Sequence, residues 1–211
     1  MNYQQISDAL AKSRARGYDH SAMFAVMLPL IYIDNELHIL FEVRSFDLES
    51  QPGEICFPGG KMEDGEHPSN TALRETMEEL NISQNQVKII GELPPYTTPF
   101  QFSIFPYCGV LQHVSFEEIN YSTDEVHSIF TVPISYFATQ KPEEYTLTFE
   151  MKMDDQFPYH AIPNGKKYGW RTGTYKVLFY YYQQHVIWGM TAKMLHYFLE
   201  SLKQHLDLSK I

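Results

Sequence analysis

Cysteine is scarce in this 211-residue chain: there are two, Cys56 and Cys108, and neither belongs to a CxxC pair or a Cys/His zinc pattern. That excludes a disulfide-stapled scaffold and a thiolate metal centre, and leaves reduced, partly buried thiols in a cytoplasmic protein as the expected state. Long hydrophobic runs are missing as well. The longest, residues 23–33, is too short to span a bilayer, and the polar start MNYQQISDALAK carries no signal-peptide pattern. Basic residues are outnumbered, 16 Lys and Arg against 26 Asp and Glu, for a net charge of −10. Such a balance argues against nucleic acid, whose backbone rewards basic faces. Internal repeats and low-complexity tracts are absent. The expectation is a soluble protein with neither a membrane nor a nucleic acid as partner.

What is present reads as one globular domain over residues 1–211, with 44% hydrophobic and 20% charged residues and enough chain for a full core. The pattern predicts an amphipathic helix near residues 5–14, then strands over 24–33 and 37–43 joined as a hairpin by Asp34-Asn35. Further strands are expected over 87–92, 102–113, 145–153 and 175–182, and a closing amphipathic helix over 191–205. The loop 44–60 delivers a glycine pair, Gly59-Gly60, to an acidic helix. Strands sandwiched by helices give α/β/α layers around a mixed sheet. Among Tyr180, Tyr181 and Tyr182, strand alternation turns at least one to the core.

The acidic helix carries the chemistry. Pro68 suits a first turn, residues 71–80 are rich in helix formers, and Asn81 can stop the helix in the left-handed region. At 3.6 residues per turn, Glu75, Glu78 and Glu79 share a face. Adjacent like charges at 4 Å repel by about 4 kcal/mol at an effective dielectric of 20. Arg74, four residues before Glu78, offsets part of this, but Glu66 lies upstream as well, and over 60–82 six acidic residues oppose Lys61 and Arg74. An all-oxygen set of this kind suits a hard divalent cation, Mg²⁺ or Mn²⁺. The bland alternative is a solvated acidic helix face.

The flanks favour the cation. Gly60, Glu66, Arg74, Glu75, Glu78, Glu79 and Ile82 fall in register with G-x5-E-x7-R-E-U-x-E-E-x-G-U, where U is a bulky aliphatic residue, and the chain resembles the Nudix hydrolases over 60–82. Thr76 stands where an aliphatic is usual and Asn81 where Gly is usual. The resemblance implies the Nudix fold and a hydrolase that cuts a nucleoside diphosphate linkage with Mg²⁺ or Mn²⁺. By position it implies Glu75, Glu78 and Glu79 with the Gly59 carbonyl as metal ligands, and Glu75 and Glu78 in catalysis together with Arg74 and Glu66, which orient the cluster. It also implies a homodimer in many members, although no pattern here names an interface.

A longer resemblance reaches upstream. Leu40-Phe41-Glu42-Val43-Arg44-Ser45, Gly53 and Phe57-Pro58-Gly59-Gly60 keep the spacing of the coenzyme A diphosphatase motif L-L-T-x-R-(S/A)-x3-R-x3-G-x3-F-P-G-G. Phe41 and Glu42 replace Leu-Thr, and Glu49 replaces the second Arg, whose phosphate contact would be worth roughly 1.5–3 kcal/mol. Arg44, Lys61 and Gly60 are the candidate substrate-binding residues, with Lys166, Lys167 and Arg171 as a replacement from afar or simply an exposed loop. Residues 187–195, IWGMTAKML, are similar to a C-terminal segment of the same enzymes and read structurally as a strand-to-helix corner. Glu125 either completes the metal site or belongs to an exposed acidic turn. Residues 94–100, PPYTTPF, could wall a substrate moiety or form a Pro-rich turn. The implied substrate is coenzyme A or a derivative; ADP-ribose, NADH or a dinucleoside polyphosphate is the alternative, and a non-catalytic nucleotide-sensing module is a third reading. The final Ser209-Lys210-Ile211 is one residue from a peroxisomal Ser-Lys-Leu address, a cheap match that leaves the cytoplasm as the expected compartment.

Overall fold

Side chains of β1 (Ala22–Ile33) leave the strand on alternate sides, and that alternation organises two cores. Ala25, Met27 and Ile31 join one cluster, while Leu28 and Leu30 join the other. The computed structural model describes residues 22–98 and 102–206. The helix expected near residues 5–14 lies outside them. β1 turns through Asp34 and Asn35, both with positive φ (49° and 67°), and pairs back on β2 (Glu36–Arg44) with Ile33 opposite Glu36. A two-residue turn of this kind requires positive φ at both positions, which Asp and Asn tolerate.

β1 lies at the centre of an eight-stranded mixed sheet. Its hydrogen-bonded order runs from β3 (Ile55–Cys56) through β2 and β1 to β7 (Phe102–Leu111) and β5 (Val87–Glu92). β4 (Gly59–Lys61) pairs with β1, β6 (Tyr96–Thr97) with β7, and β8 (Val126–Pro133) with β2. β1 and β7 run parallel, and the other pairs are antiparallel.

The helix α1 (Pro68–Leu80) covers one face of the sheet. Its start has Pro68 in the first turn and His67 as cap, whose ring nitrogen accepts from the Ser69 N–H. Asn81 ends it in the left-handed region at φ 52°, ψ 43°. Buried Ala72, Thr76 and Leu80 recur every fourth residue, which fixes the inward stripe. Thr76 is fully buried, and its hydroxyl donates to the Ala72 carbonyl at 2.6 Å, so the departure from an aliphatic residue leaves no unpaired polar atom.

Against the opposite face lie α3 (Gly189–Lys203) and a second sheet, antiparallel, of β9 (Glu143–Phe149), β10 (Gly173–Tyr182) and β11 (His185–Trp188). The expected strand-to-helix corner is present, with Gly189 at φ 64° between β11 and α3. The Thr191 hydroxyl donates to the Ile55 carbonyl at 3.0 Å, tying α3 to the strand just ahead of the glycine pair. Tyr180 is buried and Tyr181 exposed, as alternation requires.

The expected mixed sheet is present, and beside it β9, β10 and β11 form a second, antiparallel sheet instead of extending the first. Period-two patterning reports that a strand is half-buried but not which strand it pairs with. β8 and the short α2 (Ile134–Thr139) were not anticipated, and β9 stops at Phe149 short of residue 153. Among the described residues no helix is long and apolar enough to cross a membrane.

Candidate metal and diphosphate site

The glycine pair lets the helix carboxylates approach the sheet. β4 lies against β1 with Gly59 opposite Val26 and Gly60 opposite Ala25. A Cβ on Gly59 would fall 2.5 Å from the Ala25 carbonyl oxygen and 2.7 Å from Val26 Cα. A Cβ on Gly60 would overlap the Glu75 carboxyl group. The Gly59 N–H donates to Glu79 Oε2 at 2.8 Å, fastening the far end of α1 to the glycine pair.

Arg74 collects three of the four signature carboxylates. Its Nε and Nη2 donate to the two Glu66 oxygens, each at 3.1 Å, a two-pronged fork that suits a planar guanidinium. Its Nη1 donates to Glu75 at 2.7 Å and to Glu78 at 3.3 Å. The expected shared face of Glu75, Glu78 and Glu79 is present but graded in depth. Glu79 is buried, Glu75 half-buried and Glu78 exposed.

That gradient sets the electrostatics. Burial pushes the Glu79 carboxyl up to about 8, with Glu75 and Glu125 adding repulsion and the Gly59 N–H and Arg44 opposing. Glu75 is raised, again chiefly by burial, against the pull of Arg74. Glu66 is held down to about 2, first by its hydrogen bonds to Arg74. Like charges brought together out of water, with few cations between them, favour an added positive ion.

Glu42 also joins this group, although in the sequence it stands out only as a substitution within the upstream motif. It is 1% exposed, burial and the Glu79 charge drive its carboxyl well above the usual range, and its Oε1 has no hydrogen-bond partner. The available signal was a carboxylate inside the apolar run Leu40-Phe41-Glu42-Val43 of an internal strand. An orphaned buried oxygen beside an all-carboxylate set fits a hard divalent cation. Among the described residues no three acidic, His or Cys side chains are already drawn together at ligand distance, since Arg74 holds Glu66, Glu75 and Glu78 on its own donors.

The other candidates divide. Glu125 comes to the cluster: its carbonyl accepts from the Ser45 N–H at 2.8 Å, and its charge acts on Glu42, Glu75 and Glu79. Arg44 is near enough to stabilise Glu42 and Glu79 as anions while its Nε donates to the Ser50 carbonyl. Lys61 is exposed at the end of β4, and Glu49 is exposed in the loop after β2. Lys166, Lys167 and Arg171 lie in an exposed loop where Lys166 sits over the Tyr159 ring; no ion pair or hydrogen bond joins them to the acidic group among the described residues. Tyr96 is turned into the core, its hydroxyl donating to that of Tyr175 at 2.7 Å, so this aromatic of the 94–100 segment is structural. Cys56 is only half-exposed, and burial with the Glu42 charge pushes its thiol far up. Burial takes Cys108 to about 12. Neither is poised as a nucleophile.

The contact at Gly60 makes a first prediction. Its backbone is not in the left-handed region, so Gly60→Ala is conformationally permitted and acts through the Glu75 carboxyl it displaces. Turnover should fall by on the order of 100-fold, the scale of a misplacement near 1 Å. Steady-state rates compared with thermal melts check this, since a lost fold would lower the melting temperature too.

The NUDIX domain family matches residues 25–156, and the chain belongs to it. Its α/β fold, acidic helix and glycine pair are those of a Nudix hydrolase, the class to which its relatives also belong. Nudix hydrolase 3 of Caenorhabditis elegans is 30% identical over 192 residues, covering 84% of this chain and 72% of that one. The peroxisomal coenzyme A diphosphatase NUDT7 of Mus musculus is 37% identical over 139 residues, covering 63% of this chain and 58% of the mouse protein. The Nudix hydrolase NudL of Photorhabdus laumondii is 32% identical over 179 residues, covering 84% and 83%.

Proposed function

We propose that the chain hydrolyses the diphosphate of coenzyme A, or of its acylated or oxidised forms, to phosphopantetheine and adenosine 3′,5′-bisphosphate. The observation that carries this reading is the unbroken spacing from Leu40 to Gly60, supported by the 37% identity to the mouse coenzyme A diphosphatase. In that reading Glu75, Glu78 and Glu79, with the Gly59 carbonyl, hold Mg²⁺ or Mn²⁺. When bound, the cation neutralises phosphate oxygens and acidifies the attacking water.

The chain's own groups do the rest. Arg74 and Glu66 keep Glu75 and Glu78 in place through the fork and its third nitrogen. Glu75, half-buried against Gly60 with its carboxyl raised by burial, is on this reading the group that receives the proton of the water when it does not itself ligate the ion. Arg44 and Lys61, with the Gly60 backbone, face the phosphates from the loop side. Glu125 closes the cluster from the turn before β8.

Glu49 favours a second reading, a different nucleoside diphosphate derivative, because an acidic residue stands where the motif has a phosphate-binding Arg. Purified protein with Mg²⁺ or Mn²⁺ should be offered coenzyme A, ADP-ribose, NADH and a dinucleoside polyphosphate in parallel, with products separated by chromatography. Preferential release of phosphopantetheine and adenosine bisphosphate is the expected result. Preference for another substrate transfers the assignment to it, and nucleotide binding without turnover would make the domain a sensor.

A further inference from the structure

Glu42 is buried more deeply than Glu79, yet one of its oxygens has no partner. Strand alternation places it with Leu40, which belongs to the core under α1, while Ile39 and Phe41 belong to the opposite core. Glu42 therefore faces the side of the sheet that carries the acidic helix. Its flanking partners are Cys56 across β3 and Ile129 across β8, neither of which brings a charge. Around it Glu79 and Glu125 are the repelling charges, and Arg44 the attracting one. A carboxylate kept for architecture would find fixed donors. This one instead keeps an unsatisfied oxygen within the electrostatic reach of a second buried carboxylate, Glu79, at a position where the resembling motif has Thr.

We propose that Glu42 is an additional carboxylate ligand of a divalent cation shared with Glu79, giving the site an inner binding position on its β2 side. The proposal rests on the metal-dependent reading above. It explains how an acidic residue is retained in the interior of an apolar strand: oxygen-seeking cations such as Mg²⁺ and Mn²⁺ supply the missing partner and offset the charge. The Arg74 network on the outer side of α1 involves neither Glu42 nor Glu79. The inner pair is accordingly free to bind without dismantling it.

Mn²⁺ itself is the probe, with the full chain and the variants Glu42→Gln, Glu42→Thr and Glu79→Gln. Bound ion is counted by electron paramagnetic resonance of the free fraction, and melting temperature is recorded with and without Mn²⁺. Both Glu42 variants should bind Mn²⁺ at least tenfold more weakly or bind one ion fewer. Glu42→Thr should melt higher than wild type without the ion and gain less from its addition. Wild-type Mn²⁺ binding in both Glu42 variants, alongside loss in Glu79→Gln, would overturn the role of Glu42 and leave the site itself standing. An equal drop in melting temperature with and without Mn²⁺ in Glu42→Gln, with binding unchanged, would mark a structural residue. Failure of wild type to bind Mn²⁺ would remove both readings together.

Discussion

Glu79→Gln is expected to lower turnover by more than about 100-fold, beyond the roughly 10–100-fold that losing a residue behind a metal ligand costs, while raising the melting temperature at pH 8 without added divalent ions. The opposing signs follow from one fact: Glu79 is buried, and its carboxyl is pushed up to about 8 from an ordinary 4.5. Below pH 4.5 the folded and unfolded chains both hold the proton. From there to pH 8 the unfolded chain releases it and the folded chain keeps it, so stability falls as pH rises. Above that range the folded chain carries a buried charge at a penalty of a few kcal/mol. Glu42 and Glu75 are shifted in the same direction and steepen the trend.

A neutral amide of the same shape removes the Glu79 part of the penalty and with it part of the pH dependence. Mg²⁺ or Mn²⁺ stabilises whichever state binds it, and should raise the melting temperature of the wild type more than that of the variant. Thermal melts between about pH 5 and 8, with and without the ion, together with steady-state rates, check each limb. A variant of normal turnover, or one that melts lower at every pH, would remove Glu79 from the site.

Much of this was legible in the chain because the relevant forces are local. Asp34 and Asn35 could be read as a turn since few residues accept two successive positive φ angles. Pro68 and Asn81 bracketed α1 for equally local reasons, and spacing alone brought Glu75, Glu78 and Glu79 to one face. What was not legible depends on partners remote in sequence. Whether Tyr175 pairs in the main sheet or a separate one is decided by β9 and β11, and no property of residues 175–182 reports it. Tyr96 fits a ligand wall or a core residue equally well by sequence, and its partner Tyr175, 79 residues away, decides for the core. Glu42 was visible as a substitution, but its burial beside Glu79 requires β2 and α1 to be packed together first. The different depths of Glu78 and Glu79 likewise come from the glycine pair beneath one and solvent beside the other.

Arg74→Lys and Arg74→Ala should separate charge from geometry in the acidic group. Four hydrogen bonds leave this guanidinium for three carboxylates, two of them forming the fork on Glu66. Lysine keeps the positive charge but offers one compact ammonium, which cannot reproduce a planar fork and reach Glu75 and Glu78 at the same time. Alanine additionally leaves Glu75 and Glu78 to repel each other at helical spacing. Since Arg74 positions groups and does not itself ligate the ion, turnover should fall about 10–100-fold in Arg74→Ala, less than in Glu79→Gln. Arg74→Lys should recover no more than part of that loss. The concentration of Mn²⁺ needed for half-maximal rate should rise in both, because the ligands are no longer held in advance of the ion. Glu66 supplies the matching control: Glu66→Gln leaves the Arg74 charge in place and weakens only the fork, so its effect should resemble that of Arg74→Lys. Full activity in Arg74→Lys at wild-type Mn²⁺ demand would show that charge alone suffices and that the fork is ornamental. A loss in Arg74→Ala as large as that of Glu79→Gln would instead place Arg74 on the substrate phosphates.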